Sequence, residues 1–228
     1  MTPRRAFAAA FLAVAVLLGG CSSTTATPTA TAATPTATDL LASSATAMKA
    51  VSSAGFTLTV DGQLPAVTVQ TAKGSLTSAG DAQGTATIVQ FGQLVEVEFV
   101  LVGGDLYLKG PTGGFTKVPA ALAGSVYDPS AILNPDKGVA KVLSSVQNPT
   151  IIGTEGEAWQ VSGTVPAAVA GGLVPGISTD VSAVFTIQMT GSQLIAATFT
   201  LDGADGKPAG VTVTLSDLGA PVTITKPG

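Results

Sequence analysis

The chain has 228 residues, 10 basic and 14 acidic side chains, no histidine and one cysteine, and it is 46% hydrophobic although only 5% aromatic. Without histidine, serine–histidine nucleophilic catalysis is excluded, and the lone thiol has no second cysteine or histidine with which to pair or hold a metal. Lysines scattered singly along an acidic chain form no basic patch, which excludes nucleic acid as a partner.

Met1-Thr2-Pro3-Arg4-Arg5 is a short basic segment, followed by the apolar run Ala6 to Leu18. That run is too short for a membrane-spanning helix, which needs about 20 residues, and matches the core of a secretory signal, about 7 to 15. Residues 1–20 therefore read as a signal peptide. Leu18-Gly19-Gly20-Cys21 resembles the bacterial lipobox, in which the cysteine is acylated and becomes the new N-terminus. The resemblance makes Cys21 the candidate lipidation site and the plasma membrane an expected partner through the lipid anchor. Acyl chains contribute about 0.8 kcal/mol per buried methylene, and two or three make a stable anchor. Residues 22–38 contain only Ser, Thr, Ala and Pro. They have no large apolar group to bury and read as a tether. Thr-rich, Pro-punctuated tracts of this composition are also common O-glycosylation substrates.

From Asp39 the pattern turns helical. Asp39 is a candidate cap for a helix running to Val51, with Leu41, Ala45 and Met48 on one stripe. After Gly55 the period changes to two, with Phe56, Leu58 and Val60 alternating with Thr57 and Thr59. Further strands are expected from Val67, Thr85 and Gln93. In QLVEVEFVLV (93–102) the carboxylates of Glu96 and Glu98 share the wet face, so Val95, Val97, Phe99 and Leu101 point inward. The preceding GTATIVQ is expected to pair with this strand as a hairpin across Phe91 and Gly92, which puts Ala86 and Ile88 on the same inner face. Gly103-Gly104 then turns the chain into DLYLK.

The middle of the chain, residues 127–149, breaks this rhythm. Asp128 before Pro129, and Asn134 before Pro135, read as caps opening two short helices. Ile132, Leu133, Val139, Val142, Leu143 and Val146 are the apolar positions. Strands resume at Thr150 and Trp159, pause at a short helix from Pro166, and run again as VSAVFTIQMT, QLIAATFTLD, AGVTVTLSD and VTITK. About ten strands and three or four helices imply one antiparallel α+β domain over residues 39–228, its helices covering one face of a curved sheet.

Chemistry-bearing arrangements are few. Glu96 and Glu98, at i and i+2 on an alternating strand, read as a solvated face rather than an acid–base pair. GADGKP (203–208) lacks the glycine spacing of a phosphate loop and the Ser or Thr after Lys207, and reads as a hairpin turn. Asp202 and Asp205 are too few for a calcium site. Trp159 and Tyr107 read as core or rim aromatics. No catalytic residue and no cofactor are expected.

YDPSAILNPDKGVAKVL, the preceding GGDLYLK, the earlier GQLPAVTV with KGSLT, and the terminal TLSDLGAPVTITKP resemble the mycobacterial LppX, LprA, LprF and LprG lipoproteins. The likeness covers essentially all of residues 39–228. It departs at Leu218, where the family usually has Trp, and at 79–83, where a Pro-containing turn is usual. The resemblance implies a strongly bent, half-barrel antiparallel sheet with helices over its concave side, similar to LolA and LolB, enclosing an apolar cavity for lipid tails. It implies, as partners, acylated glycolipids or other multi-chain lipids carried toward the outer membrane. Its cavity wall would draw on Phe56, Leu58, Val67 and Val69, on Ala86, Ile88, Val95, Val97, Phe99 and Leu101, on Ile132, Leu133, Val142, Leu143 and Val146, and on Phe185, Ile187 and Phe199. The alternative is a non-catalytic surface lipoprotein that works by protein contact, as adaptor for an envelope transporter or a sensor.

Overall fold

The computed structural model of the chain describes residues 34–64, 68–119, 129–173, 177–203 and 206–228. Eleven strands form one open antiparallel sheet in the order β6-β5-β4-β3-β2-β1-β11-β10-β9-β8-β7. They are β1 (Ser53–Asp61), β2 (Val69–Thr77), β3 (Ala82–Gln90), β4 (Gln93–Val102), β5 (Asp105–Lys109), β6 (Thr116–Lys117), β7 (Gln147–Glu155), β8 (Ala158–Val165), β9 (Val181–Gln188), β10 (Leu194–Asp202) and β11 (Pro208–Ser216). Both halves are meanders of sequence neighbours, and the single non-sequential pair, β1 with β11, joins them. Tight turns carry the meander: Phe91-Gly92 and Gly103-Gly104 have positive φ at both central residues, the geometry that matches strand twist. β10 and β11 pair as the expected hairpin, with the Gly203 amide donating to the Lys207 carbonyl at 2.8 Å; residues 204 and 205 of its turn lie outside the described residues.

Among the described residues the helical layer contains α1 (Ala37–Lys49), a 3-10 turn (Pro129–Leu133), α2 (Val139–Leu143) and α3 (Ala167–Leu173). α1 begins two residues before Asp39 and ends before Val51, because Thr36 rather than Asp39 is its cap. The Thr36 hydroxyl accepts from the Asp39 amide at 3.1 Å and donates to the Asp39 carboxylate at 2.6 Å, so Asp39 supports the first turn from inside it. Leu41, Ala45 and Met48 are buried as the stripe requires, with Leu40 and Ser44 beside them. The second expected helix start is also displaced. The Asn134 side-chain oxygen accepts from the amides of Asp136 and Lys137 at 2.9 and 3.1 Å, which makes a turn, and α2 starts only after Gly138. The expected cap Asp128 lies outside the described residues.

VTITK does not form a strand. The strands next to its starting point, β1 and β11, pair with each other, and the tail packs across the sheet instead of extending a ladder. The Gly219 amide donates to the Ser53 carbonyl at 2.8 Å, the Ser53 hydroxyl donates to the Ala220 carbonyl at 2.5 Å, and Lys226 sits 5.6 Å from the centre of the Tyr107 ring. Val222 and Ile224 are half-buried, so the alternation in the sequence reports one covered side and not a ladder. On the short edge strand, Lys117 pairs with Asp105 at 2.8 Å and holds that exposed carboxyl below its ordinary range.

Ser44 is fully buried on α1, and its hydroxyl has no hydrogen-bond partner among the described residues. A buried unsatisfied hydroxyl costs about 1 to 3 kcal/mol. Ser44→Ala is therefore expected to raise the melting temperature by about 2 to 4 °C for each kcal/mol recovered in a domain of this size, measurable by calorimetry.

Candidate functional site

The concave face is built by strand register. One rung runs Val97–Ala86–Ala72–Leu58–Val213–Ala197–Phe185–Val161–Ile151, directly paired across nine strands and apolar at every position. Side chains directly opposite each other across a sheet share a face, so this rung is a continuous hydrocarbon strip. The neighbouring rung reads Leu108–Phe99–Gly84–Gly74–Phe56–Leu215. Backbones three strands apart on a flat sheet are about 14 Å apart. The Phe56 and Phe99 rings nevertheless have centroids 6.5 Å apart, because the sheet bends and the two rung positions between them are glycines that place no side chain in the way. On the other half Phe185 and Phe199 meet edge to face at 6.2 Å.

The opposite face carries the charge. Glu98 pairs with Lys109 at 2.8 Å across β4 and β5, and Glu96 is exposed.

The candidate wall residues fall into three groups. Phe56, Leu58, Val69, Phe99, Ile132, Leu133, Val142, Leu143, Phe185 and Ile187 are buried in the core between sheet and helices. Ala86, Ile88, Leu101, Val146 and Phe199 are half-buried and packed against it, while Val95 and Val97 are half-buried toward the end of the β3–β4 hairpin. Val67 lies outside the described residues, as does Cys21. The parity deduced from the two carboxylates holds along the whole hairpin, since Ala86 pairs with Val97 and Ile88 with Val95.

Between helices and sheet lies an apolar recess. It is floored by Leu58, Val211, Val213, Ala197 and Phe199 and roofed by Ile132, Val139 and Ala170. The whole recess, including space open to solvent, spans about 600 Å³, but only about 30 Å³ of it admits the centre of a water-sized sphere. That is room for a couple of water molecules, against about 300 to 1,000 Å³ for ligand pockets generally. This recess is therefore far smaller than the lipid-sized cavity that the resemblance implied. Sequence reasoning missed Val211, Val213 and Leu215, although they alternate in AGVTVTLSD by the same rule that located Val95 and Val97.

An open, bent antiparallel sheet with a continuous apolar inner face, roofed by short helices, defines an α+β scaffold with its hydrophobic side turned to the helices. The LppX_LprAFG lipoprotein family model matches residues 36–224, and the chain belongs to that family. It is 35% identical over 220 residues, 93% of this chain and 91% of the other, to the lipoarabinomannan carrier protein LprG of Mycolicibacterium smegmatis. It is 30% identical to the putative lipoprotein LprA of Mycobacterium tuberculosis over 97% of this chain and 96% of that one. The crystal structure of LprF from Mycobacterium bovis superposes with a TM-score of 0.73 at 29% identity, covering 84% of this chain and 97% of that one. LppX of Mycobacterium tuberculosis shares the fold, with a TM-score of 0.63 at 21% identity over 83% and 98% of the two chains. No helix among the described residues is long and apolar enough to cross a membrane.

Proposed function

We propose that this chain is a membrane-anchored lipoprotein that binds multiply acylated lipids or glycolipids against its concave face and carries them across the cell envelope toward the outer membrane. The observation that carries this reading is the apolar rung across nine strands, a surface suited to hydrocarbon tails and bare of charge. The name of its LprG relatives, lipoarabinomannan carrier, points to a glycolipid as the cargo class. In this reading no residue is catalytic: the domain supplies an apolar surface and excludes water, and the transfer is a partition between bilayer and protein. Residues 1–20 act as the signal, Cys21 bears the acyl chains, and the segment from Cys21 to α1 is the tether.

Native mass spectrometry of the protein purified from a lipid-rich bacterial host tests the carrier role directly. Adducts with masses of multi-chain lipids are the expected result; a spectrum of bare protein would overturn it. The small recess favours a second reading in that event, a surface lipoprotein that acts through protein contacts as an adaptor for an envelope transporter or sensor. For the anchor, Cys21→Ser is expected to release the secreted domain from membranes without changing its melting temperature, and continued firm membrane association would sink that assignment.

A further inference from the structure

The β3–β4 hairpin ends in a way that its role in the sheet does not require. Phe91 is 99% exposed, Leu94 69% and Val89 38%. Along most of β3 apolar and polar residues alternate, but in the last rungs the alternation fails. Ile88 and Val95 pair on the inner face, and Val89 and Leu94 pair on the outer one. The outer face at the end of the hairpin is thus apolar although exposed, a pattern that water disfavours, and only the Gln90–Gln93 rung on the inner face is polar before the turn. Between Asp81 and Glu96 there is no charged residue.

The turn itself is strained. Phe91 has φ +51° and Gly92 +77°, a two-residue turn whose first position favours Asn, Asp or Gly. A bulky aromatic held in the left-handed region here has no packing that compensates for the strain.

We infer that the tip of the β3–β4 hairpin is a membrane-contact prong, with Phe91, Leu94 and Val89 entering the apolar edge of a lipid bilayer. Three side chains at the end of a narrow hairpin cannot supply the roughly 800 Å² per partner that a stable protein interface buries. A fluid apolar medium needs no matching surface, and aromatic and aliphatic groups without charge partition into it on their own. Behind the Gln90–Gln93 rung the inner face of the same hairpin carries Ile88 with Val95 and then Ala86 with Val97, so the prong and one end of the apolar concave face share a single hairpin. The inference takes one thing from the lipoprotein reading, that the domain stands near a bilayer: fifteen residues from Cys21 to Thr36 reach at most about 50 Å at about 3.3 Å each.

The test uses the full acylated chain reconstituted into phosphatidylcholine vesicles with either plain or brominated tails. With Trp159 replaced by Phe, a Phe91→Trp variant is expected to lose at least about half its emission in the brominated vesicles, because bromine quenches only at the depth of the tails. Ile152→Trp, on the exposed part of edge strand β7, serves as the control and is expected to emit equally in both. Equal emission of the residue-91 indole in both vesicles overturns the inference. A second variant checks the fold: Phe91→Asn creates the favoured Asn-Gly turn and is expected to hold or raise the melting temperature, and a lower one would make Phe91 a structural residue and end the argument. Quenching does not depend on a lipid held in the concave face. A chain that is quenched at residue 91 but carries no lipid in the native spectrum keeps the prong and loses the carrier reading.

Discussion

Gly74→Val is expected to lower the melting temperature by about 10 °C or more, at about 2 to 4 °C per kcal/mol for a domain of this size. Gly74 and Gly84 are directly opposite each other on β2 and β3. A side-chain carbon built on Gly74 falls 2.8 Å from the Gly84 α-carbon and closer still to the Gln83 carbonyl oxygen; one on Gly84 meets the Lys73 carbonyl in the same way. The obstacles are backbone atoms on a paired strand, so nothing flexible can give way, and the two strands must separate. Parting them also removes the floor under the Phe56–Phe99 contact. Overpacking of this kind costs about 1 to 3 kcal/mol when side chains can adjust and more when only backbone is available to move. Gly153→Val is the matched control, because Gly153 lies in a strand with open space where its side chain would go, and its effect is expected to stay within about 0.5 kcal/mol. Equal melting temperatures for the Gly74 and Gly153 variants would show that the close approach of β2 and β3 does not set the bend.

These two glycines also mark what the sequence could and could not disclose. Strand identity, the hairpin across Phe91 and Gly92, and the inward set on β4 all follow from local patterns, because Glu96 and Glu98 fix one face by chemistry alone. KGSLT and AQGTA read individually as weak strand segments. Their meaning appears only when register sets Gly74 against Gly84, and register between strands is not a local property. The cap of α1 was hidden for a different reason: Thr36 sits in a run of Ser, Thr, Ala and Pro that composition assigns to a tether, and only its bonds to Asp39 distinguish it from the threonines before it. The tail was misread because alternation at Val222 and Ile224 reports one-sided cover, which a segment crossing the outer face satisfies as well as a strand does. Wall positions on β11 are legible by the same parity that places those on β4. The small size of the recess was not legible at all, since the separation of a helical layer from a sheet depends on packing between distant segments.

That small size determines how Ala86→Trp should behave. If tails bind against the concave face, the helical layer must part from the sheet, exposing apolar surface at about 25 cal/mol per Å². A ligand with several long chains offsets this by burying methylenes at about 0.8 kcal/mol each, whereas a small apolar molecule does not. The opening is expected to begin at a half-buried end of the nine-strand rung, and the pair of Ala86 and Val97 forms one of the two. Ala197 on the same rung is only 2% exposed and lines the recess. An indole at position 86 or 97 is therefore expected to be accommodated at this half-buried end and to occupy the route that tails would take, whereas at position 197 it would be forced into the core. Ala86→Trp and Val97→Trp are expected to cut bound lipid about tenfold, a difference of about 1.4 kcal/mol, with the melting temperature within about 3 °C of the parent. Ala197→Trp should instead overpack the core at a cost of about 1 to 3 kcal/mol or more and melt several degrees lower. Lipid content by native mass spectrometry and melting by calorimetry, on the same preparations, separate the cases. Full lipid loading in Ala86→Trp, or its unfolding, would mean that tails do not pass this end of the sheet and that the carrier mechanism assigned to these residues is wrong.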